Sequence, residues 1–348
     1  MPPLVGVYIP AYNAAPFVEK AIRSVLGQTF GDFELLVVDD ASTDETQRVV
    51  APYLSHPKVM YVRNEHNLGM SGNWNKGVSL LANKYVAKLD ADDYHSPDFL
   101  ENMVAALEAD ERVGLAFSGL NWVTHGGSRV ELMLPYRSSW VADGRAFRAN
   151  LFRKFMAYGP TICVRRECYS RLGGFVDAMR IHSDWEMWTR IASHYDVAYI
   201  NKPLATVVRH PNNCTAMSRK DTRTPDDFEL WLRLLDSGAT PYRLDGEERQ
   251  VLEAAMIRIV IPLLSKALGS QSFVTAAACV GFLLGRRLVP AFEKVRFRVM
   301  LELLNRHPRH ASLTLAGMRW TRKLWPLAPW LSINMPARDP YEALAKTS

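Results

Sequence analysis

The sequence predicts an α/β fold: a mostly parallel central sheet flanked by helices, with a helical C-terminal extension. Three observations carry this reading. Short β-branched runs alternate with stretches of helical period over roughly residues 1–118. The run at 34–38 is too uniformly apolar to have a wet face, which places it centrally in a covered, parallel sheet. Beyond about residue 225 strand signals vanish and helical patterns take over. The 348 residues are 48% hydrophobic and 22% charged, with 20 Gly and 20 Pro, which excludes disordered and collagen-like chains.

Residues 4–9 read as the first strand, ending at Pro10. Phe17, Ala21, Ile22, Val25 and Leu26 recur at helical spacing. Residues 34–38 form the second strand, which runs into Asp39-Asp40. Ser42-Thr43-Asp44-Glu45 has the form of a capping box opening the next helix. Residues 59–63 are the third strand, followed by a polar loop (NEHNLGMSGN) and a helix through Val78, Leu81 and Ala82. Residues 85–89 are the fourth strand and empty into Asp90-Ala91-Asp92-Asp93. Ser96-Pro97 opens a helix with an apolar stripe of Phe99, Leu100, Met103, Val104 and Leu107. Residues 113–118 are the fifth strand.

The middle of the chain is more mixed. Gly126-Gly127 reads as a hairpin turn between residues 120–124 and 129–134. Residues 161–164 and 204–208 read as strands, the latter leading to Arg209-His210-Pro211. Between them, Gly173-Gly174-Phe175 leads through a loop to Ser183-Asp184-Trp185-Glu186 and a further helix. The organisation expected is an α/β domain over 1–220, divided at about residue 118, and a helical, basic extension over 221–348.

Charge is uneven. From residue 286 to the end there are 12 Lys/Arg against 4 Asp/Glu, whereas residues 1–285 carry 30 against 32. The basicity therefore belongs to the tail, where Trp320, Trp325 and Trp330 lie among Arg319, Arg322 and Lys323. Contact of that tail with an anionic membrane surface is one reading, and packing of its tryptophans onto the domain is the other. No recognised nucleic-acid motif accompanies it, so no nucleic-acid partner is expected. The longest apolar stretch, 272–285, is too short to span a bilayer, and the N-terminus lacks a signal-peptide pattern, so a cytoplasmic address is expected. Cys163, Cys168, Cys214 and Cys279 show no paired or zinc-like spacing and read as reduced, buried residues.

Three successive strand ends carry polar groups: Pro10-Ala11-Tyr12-Asn13, Asp39-Asp40 and Asp90-Ala91-Asp92-Asp93. In open α/β sheets ligands bind outside the carboxyl ends of the strands. Three carboxylates in four residues repel one another, which suits either a solvated turn or a divalent cation with phosphate oxygens completing its shell. No GxGxxG follows a strand. Gly72 and Gly77 have P-loop spacing, but Val78-Ser79 stands where Lys-Ser/Thr is required.

In combination, VYIPAYNAAPFVEKAIRSVLGQTFGDFELLVVDDASTDET, NLGMSGNWNKGV and YVAKLDADDYHSPDFL resemble the nucleotide-binding half of the family-2 glycosyltransferases of the GT-A fold. GGFVDAMRIHSDWEMWTRIA and VVRHPNN resemble that family's acceptor-side segments, so the likeness covers about residues 3–215. The resemblance implies that Pro10 and Tyr12 lie against the nucleobase and that Asp40 accepts a base N–H. It puts Asp90, Asp92 and Asp93 at the positions serving ribose and metal, with Asp92, Asp93 and His210 toward the metal. Arg63, Asn67, Asn73 and Lys76 fall in the segment that touches base and phosphates. Asp184 matches the catalytic base. The same residue types have plainer uses: Asp40 as a turn residue, Asp184 as a helix N-cap, His210 as a structural histidine.

The implied activity is metal-dependent (Mn²⁺ or Mg²⁺), inverting transfer of a sugar from a nucleotide sugar, UDP-sugar favoured, to a glycan or lipid-linked acceptor. QxxRW, the mark of processive synthases resembling the family, is absent, which favours transfer of a single sugar. Trp74 stands where relatives commonly have small or basic residues. The competing readings are an idle GT-A scaffold, against which the intact carboxylates argue, and a sugar nucleotidyltransferase, which calls for a basic glycine-rich loop where this chain has Pro-Ala-Tyr-Asn.

Overall fold

In the computed structural model, strand β1 (Val5–Ala11) lies between β2 (Phe33–Asp39) and β4 (Tyr85–Lys88), parallel to both, and β3 (Val59–Arg63) extends the parallel set beyond β2. The structure describes residues 2–124, 130–153, 156–210, 213, 223–269, 272–286 and 289. Past β4 the sheet is mixed. Strand β9 (Ile162–Arg165) runs antiparallel to β4 and to β6 (Val113–Thr124), and β10 (Asp196–Arg209) runs parallel to β6. The order along the sheet is β3-β2-β1-β4-β9-β6-β10-β5, with β5 the short strand Tyr94–His95. Two further strands pair off this path: β7 (Val130–Met133) against β6, and β8 (Trp140–Ala142) against β10.

Helices α1 (Val18–Leu26) and α4 (Phe99–Glu108) press their apolar stripes onto the parallel strands, so Ile22, Val25, Phe99, Met103 and Leu107 join Val7, Val37 and Ala87 in one core. Burying each such side chain contributes about 1.5–3 kcal/mol. The fourth strand and the start of the fifth fall where their apolar runs predicted, and the third matches residue for residue.

Several local expectations differ, each for a physical reason. The first strand continues through Pro10 to Ala11. Tyr8 faces β4, where its carbonyl accepts Leu89 N–H, so Pro10 faces the same side, beyond the last β1–β4 pair of Tyr8 with Lys88, and no ladder donor is lost. The capping box does not form: Ser42 Oγ is taken by the loop after β1 and Glu45 pairs with Arg48, while Asp44 accepts the N–H of Thr46, the first residue of α2 (Thr46–Val50), at 3.0 Å. Helix α3 (Gly69–Leu80) starts inside the stretch expected to be loop. The segments 113–118 and 120–124 are one strand, β6, and β10 starts eight residues before its expected position and is carried past irregularities by β-bulges.

Between β8 and β9 lies α5 (Gly144–Arg153), and α6 (Arg166–Leu172) follows β9. Helix α7 (Ser183–Ile191) begins at Ser183 with His182 at its N-cap, so Asp184 lies in the first turn and is not the cap.

The chain clusters into two compact units, Met1–Leu151 with Phe155–Pro211, and Phe152–Lys154 with Asn212–Ser348. The second is helical over its described residues, as α8 (Arg223–Ser237), α9 (Gly246–Gly269) and α10 (Phe273–Leu284). Within it Trp231 Nε1 donates to Tyr242 Oη at 2.7 Å and Arg286 pairs with Glu229 at 2.8 Å. Cys163, Cys168 and Cys279 are free and buried. No helix among the described residues is long and apolar enough to cross a membrane. The Gly126-Gly127 turn, Cys214 and the basic tail with Trp320, Trp325 and Trp330 lie outside the described residues.

Candidate active site

The ends of β1, β2 and β4 open side by side, and each strand delivers its polar residues there. After β1, Tyr12 is 53% exposed. Its loop is fixed from the β2 side: Asn13 N–H donates to Ser42 Oγ at 2.9 Å, Ala14 N–H to Thr46 Oγ1 at 2.8 Å and Ala15 N–H to Asp44 at 3.0 Å. Asn13 returns a bond through its side-chain oxygen, which accepts Thr43 N–H at 2.8 Å. Asn13 and Ala41 both have positive φ, 50° and 59°, a conformation that side chains avoid unless the surroundings enforce it. Tyr12 is thus presented on a preformed loop, next to Pro10 of β1.

The adjacent carboxylates of β2 divide their work. Asp39 accepts Tyr61 Oη–H at 2.5 Å, Arg63 at 2.9 Å and Ser42 N–H at 2.9 Å. Burial pushes its carboxyl up, but the bonds from Ser42, Tyr61 and Arg63 outweigh this and hold it below the usual range. Asp40, 2% exposed, accepts the N–H groups of Leu68 (2.8 Å) and Gly69 (3.0 Å) and Nδ2 of Asn64 (2.8 Å). It is the tertiary cap of α3, and a carboxylate there also complements the helix dipole. This explains why α3 starts early. Asn73 is buried beneath, bonded to Asn64 and to the Val38 carbonyl, while Asn67 bonds the Asp40 carbonyl at 3.3 Å. Lys76 stands half-buried one turn further along α3.

After β4 the acidic run turns tightly, Asp93 N–H donating to the Asp90 carbonyl at 3.0 Å. Its three carboxylates go three ways. Asp90 pairs with Lys88. Asp92 Oδ2 lies 2.9 Å from His210 Nε2, and the imidazole stacks on Phe17 with ring centroids 4.5 Å apart. Asp93 is buried and accepts Val208 N–H at 2.8 Å, so it is not brought to His210. Burial, then repulsion from Asp90, raises the Asp92 carboxyl against the pull of His210; burial, then Asp92 and Asp90, raises Asp93 well above its ordinary value.

Among the described residues no group of three His, Cys, Asp or Glu side chains is placed to hold a metal ion unaided. The pair Asp92–His210 nevertheless fits two positions of a small divalent ion. Neighbouring ligands about 2.1 Å from an octahedral centre stand about 3 Å apart, and these donors are 2.9 Å apart. An O/N donor pair leaves the remaining positions to water and phosphate oxygens.

Asp184 is half-buried, its carboxylate accepting Trp185 N–H at 2.7 Å. Burial, with a smaller contribution from Asp90, lifts its carboxyl to about 6, while Lys88 and His182 pull the other way. The loop that leads to it is sewn to α3: Ser71 Oγ donates to the Met179 carbonyl at 2.8 Å, and Asn75 bonds Phe175 N–H (2.8 Å), Phe175 O (2.9 Å) and Asp177 (2.7 Å). Behind it, Arg190 ties α7 to the carbonyls of Leu172 and Gly174, both at 2.9 Å.

Sequence reasoning missed Lys88, Trp74 and Gly159 as neighbours. Lys88 is 4% exposed, with Nζ 4.3 Å from the Trp74 ring centroid. The available signal was a lysine inside an otherwise apolar strand.

The family model "Glycosyl transferase family 2" matches residues 6–173. The chondroitin synthase of Escherichia coli is 26% identical over 234 residues, 66% of this chain and 32% of that protein. The hyaluronan synthase of Pasteurella multocida is 27% identical over 250 residues, 70% and 24% of the two chains. An uncharacterised glycosyltransferase of Methanocaldococcus jannaschii is 28% identical, over 62% of this chain and 74% of that one. The chain thus spans about a third of the E. coli synthase it matches. Among solved structures, residues 1–349 of S. aureus TarS in complex with UDP-GlcNAc superpose with a TM-score of 0.65 at 17% identity, covering 94% of this chain and 92% of that one. The Pyrobaculum calidifontis mannosyltransferase PcManGT in complex with GDP-Man and Mn2+ gives 0.53 at 20% identity, covering 93% and 87%. With the strand-end motifs and the sheet order, these likenesses make the first unit of the chain a family-2 glycosyltransferase domain of the GT-A fold.

Proposed function

We propose that the protein is a metal-dependent, inverting glycosyltransferase that moves a single sugar from a nucleotide sugar, UDP-sugar favoured, to an acceptor hydroxyl in polysaccharide or glycolipid assembly. The observation that carries this reading is Asp184: a carboxylate lifted to about 6 within electrostatic reach of the donor-side acidic run. A base needs an affinity near working pH to accept a proton and still be ionised before it does so. The nucleotide complexes of TarS and PcManGT support a nucleotide-sugar donor, and the names of the synthase relatives support a glycan product.

In this reading Tyr12 lies along the base, with Pro10 setting its approach. Asp40, besides capping α3, offers a remaining lone pair of Oδ2 to a base N–H, and Asn67, Asn73 and Lys76 frame the same side. Asp90 and Asp92 face the ribose and diphosphate. A divalent ion held by Asp92 and His210 supplies, when bound, Lewis-acid stabilisation of the charge growing on the diphosphate. Asp93 supports this pair through the backbone of β10. Asp184 takes the acceptor hydroxyl's proton as its oxygen bonds to the anomeric carbon. The bond from that carbon to the phosphate oxygen breaks, its electron pair leaving on the nucleoside diphosphate. One displacement inverts the anomeric centre.

The test is a thermal-shift panel of UDP, GDP and their sugars with and without Mn²⁺, followed by NMR of the product formed from the donor selected. UDP with Mn²⁺ raises the melting temperature by mass action, and the product carries the configuration opposite to the donor's. A retained configuration rejects the mechanism.

A further inference from the structure

Resting on the glycosyltransferase reading, we propose that Trp122, Tyr158, Arg209 and Glu131 form the subsite that receives the acceptor saccharide. The topology puts them at the edge of the sheet where the candidate site opens. Strand β9 runs antiparallel to both β4 and β6, so β6 is parallel to β4 and its carboxyl end emerges on the same side as Asp90. Strand β9 pairs with β6 only from Leu115 to Phe117, whereas β6 continues to Thr124 with β10 beside it as far as Arg209. At about 3.3 Å per residue, Trp122 lies roughly 16 Å along β6 past Phe117. It stands on a ribbon of β6, β7 and β10 that runs on beyond β9.

Four side chains make one surface on that ribbon. Trp122 lies directly opposite Glu131 of β7, so the two share a face. Arg209 Nη1 donates to Glu131 Oε2 at 3.0 Å, and the guanidinium lies over the Trp122 ring, 4.2 Å from its centroid. The rings of Tyr158 and Trp122 meet edge-on, centroids 5.1 Å apart. Tyr158 is itself fixed: its carbonyl accepts Thr161 N–H at 2.8 Å, and the carbonyl of nearby Pro160 lies 2.8 Å from His95 Nε2. Both ends of the surface lead into the candidate site within one peptide bond. Tyr158 is followed by Gly159, where a Cβ would come within 2.6 Å of Lys88 Nζ and 3.4 Å of Asp90 Oδ2. Arg209 is followed by His210, 2.9 Å from Asp92.

The chemistry of this surface matches a saccharide. A pyranose ring has an apolar face of C–H groups and a rim of hydroxyls. Trp and Tyr offer large rings to the first at little cost in side-chain entropy. A guanidinium and a carboxylate side by side donate to and accept from neighbouring hydroxyls of the second. The surface meets solvent: the Arg209 and Glu131 side chains are 51% and 41% exposed, and Trp122 and Tyr158 are partly exposed. Because the two charges balance, the subsite reads ring faces and hydroxyls, which fits an uncharged sugar unit.

The experiment reads saccharide binding apart from sugar transfer. The full chain with UDP and Mn²⁺ is titrated with chitotetraose, cellotetraose and maltotetraose, by calorimetry and saturation-transfer NMR. At least one tetrasaccharide binds, with saturation strongest on its ring C–H protons. Trp122→Ala weakens that binding by about tenfold or more, the scale of losing one aromatic anchor. Trp122→Phe restores most of it, and the thermal shift given by UDP with Mn²⁺ stays that of wild type. Where Trp122→Ala does not fold, Arg209→Gln, which leaves the ring in place and removes the charged donor, gives the comparison. Binding of no tetrasaccharide to the wild type, or equal binding to wild type and variants, overturns the proposal. A matching loss of UDP affinity also overturns it, by making the surface part of the donor site. A wild type that binds a tetrasaccharide through Trp122 but gives no shift with any nucleotide overturns the transferase reading and leaves the saccharide site standing.

Discussion

Replacing Asp184 with Asn separates catalysis from structure because the two roles predict opposite changes in stability. Burial lifts the folded-state carboxyl from the ordinary 3.8 to about 6. Between those values the folded protein holds the proton more tightly than the unfolded chain, so stability falls as pH rises through the window and stays reduced above it. The full gap corresponds to at most about 3 kcal/mol. Asp184 is half-buried, and solvent screening brings the expected value to about 1–2 kcal/mol. Asn has the same shape and no charge. Asp184→Asn is therefore expected to be more stable than wild type by about 1–2 kcal/mol at pH 7.5 and equal to it near pH 3.5, in urea melts at both pH values. The same variant loses on the order of 10²–10⁴-fold in transfer rate, the usual range for a missing general base, with nucleotide binding kept. In the wild type, kcat/KM falls about tenfold per pH unit below about 6, as the base becomes protonated. An Asn variant that is less stable at neutral pH, or transfers sugar at a near-normal rate, would refute the reasoning and leave Asp184 as a turn-forming residue of α7.

Three further outcomes are expected. Excess EDTA abolishes transfer, and Asp92→Asn removes the Mn²⁺-dependent part of the thermal shift given by UDP while leaving the melting temperature of the free protein nearly unchanged; full activity in EDTA excludes the metal role. Tyr12→Ala weakens UDP binding by about 1–3 kcal/mol in calorimetry, the scale of one base stacked on an aromatic ring, with little effect on folding because the ring is 53% exposed. The tail, with its 12 Lys/Arg against 4 Asp/Glu, is expected to give equal, negligible sedimentation with anionic and neutral vesicles, since Pro326 and Pro329 interrupt any long amphipathic helix; sedimentation with anionic vesicles alone that fades with salt would give it a membrane role.

What was legible in the sequence was whatever depended on local pattern. The β3 run of 59–63 needs only its own apolar residues and the turns around it, and it was read without error. The same holds for the stripes of α1 and α4 and for the polar strand ends. What was not legible depended on a partner distant in sequence. Ser42 and Glu45 have the spacing of a capping box, yet the N–H of Asn13, 29 residues back, claims the Ser42 hydroxyl and Glu45 pairs with Arg48. The segment at 69–72 has glycine and serine where a helix interior would have Ala or Leu, and propensity called it loop. It is helical because Asp40, 28 residues away from Leu68, caps it. Lys88 carried no periodic signal, since its meaning comes from Asp90, Trp74 and the bare backbone of Gly159.

The two acidic clusters show how such a site is assembled from adjacent residues. Successive side chains of an extended chain point to opposite sides, so Asp39 and Asp40 cannot share a task. Asp39 is spent on Tyr61, Arg63 and Ser42, and Asp40 on the start of α3. In the second cluster Asp92 faces His210 and Asp93 faces the backbone of Val208. Neighbouring carboxylates in each pair thus divide between elements, which eases the repulsion that equal charges would suffer in one place. Asp93 nevertheless reaches toward the same place, because the Val208 N–H it holds lies on β10 two residues before His210, which directly follows the strand. The strand that brings the histidine to Asp92 is pinned by the next carboxylate along. Two residues that look interchangeable in the sequence therefore make separate contacts, Asp92 with the His210 imidazole and Asp93 with the backbone of the strand that leads to it.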